Sequence, residues 1–288
     1  MAPRLQHPLA EDAVMALTDA KRVQISLDDY EYTCRLSRSR WAWEFLRRNA
    51  EFRQAALSTD QSHISEKPAC HGIRLLRPQC DQIDAEKFGL VFFPDIDANG
   101  YDADVFWIPA LYARALTMQV VPRHPSERDD IFEQTINVCE VTHLTDRVGR
   151  EYLMIRGHGH SIQVACSGLS LLSVEPVRMK LIIDNVSSMD ETLKVIGRAQ
   201  RILGKEDPSF SETWTRSSLA FRNALIALDA HEAGLTYFET AAIIYGEDRA
   251  NEAWQSASRA MKDEMRRALA RGRELRDGGY RDLLTAQT

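Results

Sequence analysis

Residues Ser217–Tyr280 read SSLAFRNALIALDAHEAGLTYFETAAIIYGEDRANEAWQSASRAMKDEMRRALARGRELRDGGY. The spacing predicts three helices with two tight joints. Leu219, Ala220, Leu225, Ile226 and Leu228 make the apolar stripe of a helix over 217–231. Gly234 ends it, since glycine takes a positive φ at a helix terminus without steric cost. Thr236 is an N-cap residue, and Glu239 follows three positions later as its capping-box partner. The second helix, 236–245, turns Phe238, Ala241, Ala242 and Tyr245 inward, and Gly246 closes it. A third, long helix is expected over 251–276. Trp254, Ala257, Met261, Met265, Leu269 and Leu275 recur on one side of it, and Gln255, Arg259, Lys262, Arg266 and Arg273 on the other.

Two short helices, a glycine-marked turn and a helix with an Arg/Lys/Gln face form the helix-turn-helix pattern. Between Gln255 and Arg281 there are eight Arg and Lys against four Asp and Glu. In a major groove, Gln255 would read adenine and Arg259 guanine, with Ser256 beside them. Lys262, Arg266, Arg267 and Arg273 would meet phosphates. The same pattern also fits the wet face of a plain helical bundle.

The rest of the chain sets the limits on this reading. With 288 residues, 44% hydrophobic and 27% charged, it has an ordinary globular composition and room for two domains. A net charge of −6 excludes a generally basic nucleic-acid binder, but a sequence-specific regulator needs only a local basic face. Cys34, Cys70, Cys80, Cys139 and Cys166 form no C-x-x-C and read as free thiols in a reducing cytosol. Glu11, Asp12, Asp19 and Asp28 interrupt the first thirty residues, unlike a signal peptide. No apolar run reaches the roughly 18 residues of a membrane span. The expected location is cytoplasmic and nucleoid-associated, with no membrane contact.

Upstream, Ala10–Arg22 reads as a short helix within a flexible tail over 1–27. A helix after Ser39 carries Trp41, Ala42, Phe45, Leu46 and Phe52, with Arg40, Arg47, Arg48 and Arg53 around it. Trp41, Trp43, Arg47 and Arg48 are either a docking surface for a protomer, a partner or nucleic acid, or a helix that buries its aromatic side while its arginines stay wet. Ser58–Pro68 is polar and linker-like. Phe88–Phe93, Val105–Ile108, Tyr152–Arg156, Ser161–Cys166 and Met179–Ile183 are strand candidates, Gly157–His160 is a hairpin turn, and Ile131–Val138 and Ser187–Leu203 are helices.

Chemical constellations are absent from the chain. It has no G-x-S-x-G, Walker loop, G-x-G-x-x-G after a strand, or H-E-x-x-H. Asp95, Asp97 and Asn99 imitate the start of a calcium loop, but Phe106 stands where the bidentate Glu belongs. His158 and His160 have no further ligands nearby. No catalytic residue, metal or cofactor is expected, and the chain does not read as an enzyme.

Four stretches resemble one bacterial family. Trp41–Asn49 (WAWEFLRRN) resembles the W-x-x-E-F-L-R-R-N motif of a short transcriptional-regulator-like module. Gly89–Trp107 resembles the family's G-L-x-F-P…V-F-W segment, and Arg178–Asp184 its V-R-x-x-x-x-x-D strand. Leu225–Leu284 resembles its variant helix-turn-helix, down to Gly278, Gly279, Tyr280, Arg281, Leu283 and Leu284. The family is that of RovC-like type VI secretion regulators and FseA-like activators of conjugative-element excision and transfer. The resemblance implies a DNA-binding transcription activator that forms homo-oligomers on double-stranded DNA, with RNA polymerase and a small antiactivator protein as further partners. Short members that bind an activator in place of DNA supply the alternative, an antiactivator or regulatory module. The expected fold is α+β: a flexible tail over 1–27, a helical module over 28–60, a small antiparallel β-rich region over 61–186 and a helical DNA-binding domain over 187–288.

Overall fold

The computed structural model describes residues 25–59, 64–68, 73–79, 82–112, 114–124, 126–127, 139–157, 160–183, 189–203 and 213–285. The Ala10–Arg22 and Ile131–Val138 helices and the tip of the Gly157–His160 turn lie outside them.

Ser26 opens the first element, a 3₁₀ segment Leu27–Arg35, through a capping box with Asp29. Two helices follow, α1 (Arg38–Leu46) and α2 (Ala50–Ser58). The run of aromatics after Ser39 is therefore two helices, because the Asn49 side chain accepts the Phe52 amide and starts a new one. A single turn, α3 (Ile83–Glu86), precedes an irregular segment over residues 88–112.

The sheet has seven strands: β1 (Ile64–Pro68), β2 (Ile73–Pro78), β3 (Leu116–Pro122), β4 (Glu140–Thr145), β5 (Glu151–Gly157), β6 (His160–Gly168) and β7 (Val177–Ile182). Their order is β1-β2-β4-β5-β6-β3-β7. The sheet is mixed, whereas an antiparallel one was expected. β2 runs parallel to β4 and β3 parallel to β6; the other neighbours are antiparallel, and the β5–β6 hairpin pairs Gly157 with His160. The fold is α+β.

Two sequence expectations fail in this region for physical reasons. Phe88–Phe93 and Val105–Ile108 form no regular strands, and only an isolated bridge joins Leu90 to Trp107. Phe88, Leu90 and Phe93 are buried toward the helices while Val91, Phe92 and Phe106 are buried toward the sheet, so the segment is a wedge between two cores. Its run of aromatics reflects burial on both sides. Ile64–Pro68, read as linker, is an edge strand, where Ser65, Glu66 and Lys67 suit a row of unpaired backbone groups.

Side chains alternate across the sheet with a period of two. Val141, Leu153, Ile162 and Val164 meet Val195 and Ile202 of α4 (Met189–Leu203) on one face. Leu76, Leu144, Tyr152 and Met154 meet the wedge on the other. Gln163 fixes the wedge to the sheet, accepting from the Trp107 amide at 2.9 Å and donating to the Trp107 carbonyl at 2.6 Å. Arg40 reaches from α1 to Ser161 (3.1 Å), the Met154 sulfur and the Ala103 carbonyl. Its burial, together with the like charge of Arg156, lowers its pKa to about 9, still cationic at neutral pH.

The C-terminal elements are α5 (Arg216–Glu232), α6 (Tyr237–Tyr245), α7 (Glu247–Gln255), α8 (Ala260–Arg276), a 3₁₀ turn Gly279–Arg281 and α9 (Asp282–Thr285). They share one hydrophobic core with α1, α2 and the wedge, so the first and last described helices fold onto each other. Trp41 packs at a tilt against Phe221 of α5 at 5.5 Å, and Tyr280 lies against Trp107 at 6.0 Å while donating to the Phe88 carbonyl. Among the described residues no helix is long and apolar enough to cross a membrane.

Candidate nucleic-acid interface

The joint between α5 and α6 forms as its sequence demands. Gly234 sits at φ 78°, and Thr236 and Glu239 close a capping box at the start of α6. Gly246 then serves as both the end of α6 and the start of α7, at φ 87° and ψ 153°. That region of backbone space is essentially open to glycine alone.

The long helix expected over 251–276 is two helices. α7 stops at Gln255, Ser256 is extended at ψ 147°, and α8 starts at Ala260. The serines cause the break. Ser256 Oγ accepts the Ser258 amide at 3.1 Å, and Ser258 Oγ accepts the Ala260 amide at 3.3 Å, so both amides find partners outside a helix. Gln255 consequently ends α7 and Ser256 opens the joint, while Arg259 stands at the α8 N-cap. Ala257, expected on the buried face, is exposed there.

α8 is held by its buried side. Met265, Leu269 and Leu275 are buried, and Gly272 lets the helix cross α5 in direct backbone contact. A Cβ at Gly272 would lie 2.5 Å from the Ala224 carbonyl oxygen. Tyr245 anchors the other flank: its hydroxyl donates to Glu264 of α8 and accepts from the Asn223 amide of α5 at 3.3 Å. Burial and the Glu264 carboxylate push Tyr245 up to about 12, so the hydroxyl stays a neutral donor. Glu264, an acidic residue amid the arginines, is thus a structural tie.

The outward side of α8 carries the cations. Arg259, Lys262 and Arg267 are exposed, with no carboxylate in ion-pair reach among the described residues. Arg266 meets only Asp263, at 3.0 Å, and both are wet. An exposed pair of this spacing is worth about 0–0.5 kcal/mol, too little to hold the guanidinium from a phosphate. Arg273 differs: it donates to His231 Nε2 at 2.6 Å and lies over the end of α5. α7, by contrast, exposes Glu247, Asp248 and Glu252 and is acidic.

Trp41, Trp43, Arg47 and Arg48 do not form a free docking surface. Trp41 is 2% exposed and Trp43 0%. Trp43 donates to the Ala98 carbonyl at 3.0 Å. Arg48 clasps Asp229 of α5 with Nε and Nη2, at 2.6 and 2.8 Å, and donates from Nη1 to Glu44 at 2.6 Å. Arg47 joins Glu44 at 2.8 Å, and Tyr30 donates to Asp229 at 2.7 Å. The buried apolar face of α1 is seated on the C-terminal helices of its own chain, and these cations are used in holding it there. Burial pushes the Glu44 carboxyl up, but Arg48, Arg47 and the Tyr32 hydroxyl outweigh it and keep its pKa below the usual carboxylate value. Asp229, unremarkable on its helix face, was not legible as the other half of this clasp. The contact of the Arg249 guanidinium with the Tyr245 ring was likewise not legible, because Gly246 interrupts the helix between them.

Residues 186–285, which include α4 through α9, match the family described as T6SS, transcription factor, DNA binding domain. Residues 25–75 match the proteobacterial transcriptional regulator-like domain. No curated protein matches the chain. The protein is a transcriptional regulator with a DNA-binding domain. It belongs to the RovC-like regulators, carrying both of their domains in the expected layout.

Proposed function

We propose that this protein is a sequence-specific transcriptional activator whose α8 enters the major groove of duplex DNA. Its targets, on this reading, are excision and transfer genes of a conjugative element or type VI secretion genes. One observation carries the proposal: within the matched DNA-binding region, α8 and its N-cap present Arg259, Lys262 and Arg267 to solvent without carboxylate partners among the described residues. Arg259 at the N-cap reads a guanine edge, with Gln255 at the end of α7 and Ser256 of the joint supplying neighbouring hydrogen bonds. Lys262, Arg266 and Arg267 take phosphates, and Arg273 does so only by leaving His231.

Three or four phosphate contacts give a salt slope of about −2.7 to −3.6 per protomer, that of a weak binder. We therefore read the active form as a homo-oligomer on repeated or palindromic sites, where linkage raises avidity. RNA polymerase is the partner that activation requires, and the bound protein would be cytoplasmic and nucleoid-associated.

The test is gel-shift titration at two salt concentrations on the best site found by genome-wide binding. Arg259→Ala should relax discrimination about five- to 150-fold at one base pair, the equivalent of about 1–3 kcal/mol. Arg266→Ala should weaken all sequences alike. No loss for either variant would overturn these contacts; absence of DNA binding, with a protein partner still bound, would favour the antiactivator class over the activator.

A further inference from the structure

Arg249 stands in the first turn of α7, exposed, on a helix that also carries Glu247, Asp248 and Glu252. None of these carboxylates pairs with it. Its guanidinium lies instead over the ring of Tyr245, 5.1 Å from the centroid. That ring is fixed from two sides, by Glu264 of α8 and Asn223 of α5. Arg249 is therefore a cation mounted on a rigid post beside α8, within the range where a cation–π contact holds orientation.

Helical spacing says which side of α8 it borders. Glu264 and Arg267 are three residues apart and share a flank, whereas Lys262 and Arg266, four apart, share the opposite one. The acidic Glu264 on Arg249's flank is occupied by Tyr245. A helix about 10–12 Å across fills a major groove about 12 Å wide and meets a phosphate strand on each side. We infer that Arg249, with Arg267, forms a second phosphate-gripping edge of the DNA interface, on the strand opposite the one met by Lys262 and Arg266. The inference rests on the reading of α8 as the groove helix. Stacking on Tyr245 lowers the ordering cost of the contact, and the planar guanidinium suits bidentate phosphate binding.

The test measures anisotropy of a labelled random-sequence duplex with the full-length protein, between 50 and 200 mM salt. Arg249→Ala should reduce the salt slope by about 0.9, so the affinity ratio across that fourfold range falls about 3.5-fold. Tyr245→Phe keeps the ring but frees it from Glu264 and Asn223, and should weaken binding with less change of slope. Arg249 is exposed, so its variants should melt with the parent; a slope change without a melting change separates contact from folding. An unchanged slope for Arg249→Ala beside a reduced one for Lys262→Ala overturns the second edge and leaves the groove helix standing. Unchanged slopes for Arg249→Ala, Lys262→Ala and Arg267→Ala together overturn both.

Discussion

Cutting the Arg48–Asp229 clasp should reveal how firmly the regulator-like module and the DNA-binding helices are welded. Arg48 and Asp229 side chains are 13% and 19% exposed, so screening by water is slight. Arg48→Met leaves Asp229 with only the Tyr30 hydroxyl, while Glu44 keeps Arg47, the Tyr32 hydroxyl and the Gly100 amide. An uncompensated buried charge of this kind costs about 3–5 kcal/mol. Asp229→Asn is milder, because Arg48 retains the Glu44 carboxylate and carbonyl; the loss of one charged hydrogen-bond partner costs about 1.5–3 kcal/mol. The double variant strands no charge, so the two losses should fall short of additive by about 1–3 kcal/mol. Urea unfolding at neutral pH supplies the energies, read by far-ultraviolet dichroism and by tryptophan fluorescence. Trp41, Trp43 and Trp107 lie in the shared core, so both probes should move together. Single variants within about 0.5 kcal/mol of the parent, or strictly additive losses, would show that the two ends are not coupled through this contact.

Three further outcomes follow from the same geometry. Gly272→Ala in an exposed helix would stabilise by about 1 kcal/mol, but here the Cβ meets a backbone carbonyl at 2.5 Å, so a net loss of about 1–3 kcal/mol and weaker DNA binding are expected by melting and gel shift. Gly246→Ala has open space yet a forbidden backbone, and should cost about 1–3 kcal/mol through strain alone, checked by the same melts. Burial raises the Glu151 carboxyl, but the nearby His143 ring, the Ser170 hydroxyl and the Leu171 amide outweigh it and hold its pKa at about 2, below the ordinary 4.5. The folded value is the lower one, so its roughly 3 kcal/mol is present above pH 4.5 and is lost as pH falls toward 2; Glu151→Gln should flatten unfolding free energy across that window.

Local chemistry made much of the C-terminal half legible. The Thr236–Glu239 capping box, the glycines at 234 and 246 and the Leu225, Ile226 and Leu228 part of the α5 stripe each act within a turn of chain and lie where the residues put them, whereas Ala220 of that stripe is exposed. The break at Ser256 was not read, because periodicity runs straight through it: Trp254, Met261 and Met265 keep helical spacing while two serine side chains divert the backbone. The wedge misled for a different reason. Phe88–Phe93 is as β-prone as any strand here, but whether such a run pairs depends on what covers its two sides, and that is a property of the assembled layers. On α8 the cations were visible as a face, whereas which of them are spoken for was not. Arg273 is bound to His231, 42 positions away, and no spacing rule reaches that far.

The family motifs themselves point to scaffold more than to ligand. Trp41 and Leu46 from the first motif, Leu90 and Trp107 from the second, and Tyr280, Leu283 and Leu284 from the last are all buried in one core. Asn49 of the first motif donates to the carbonyl of Arg276, the last residue of α8, and Arg281 of the last donates to the carbonyl of Lys87. Three of the four stretches that make the chain recognisable are thus the seams that join its first and last described helices behind α8. The proposed DNA contacts, Arg259, Lys262 and Arg267, lie on the opposite, wet side, where side chains can change without touching that core. A regulator built this way holds its groove helix at a fixed angle while its base contacts vary. Exchanging the exposed residues of α8 between relatives should therefore move sequence preference with little change in unfolding free energy. Destabilisation by more than about 1 kcal/mol in such a swap would mean that the wet face also carries the fold.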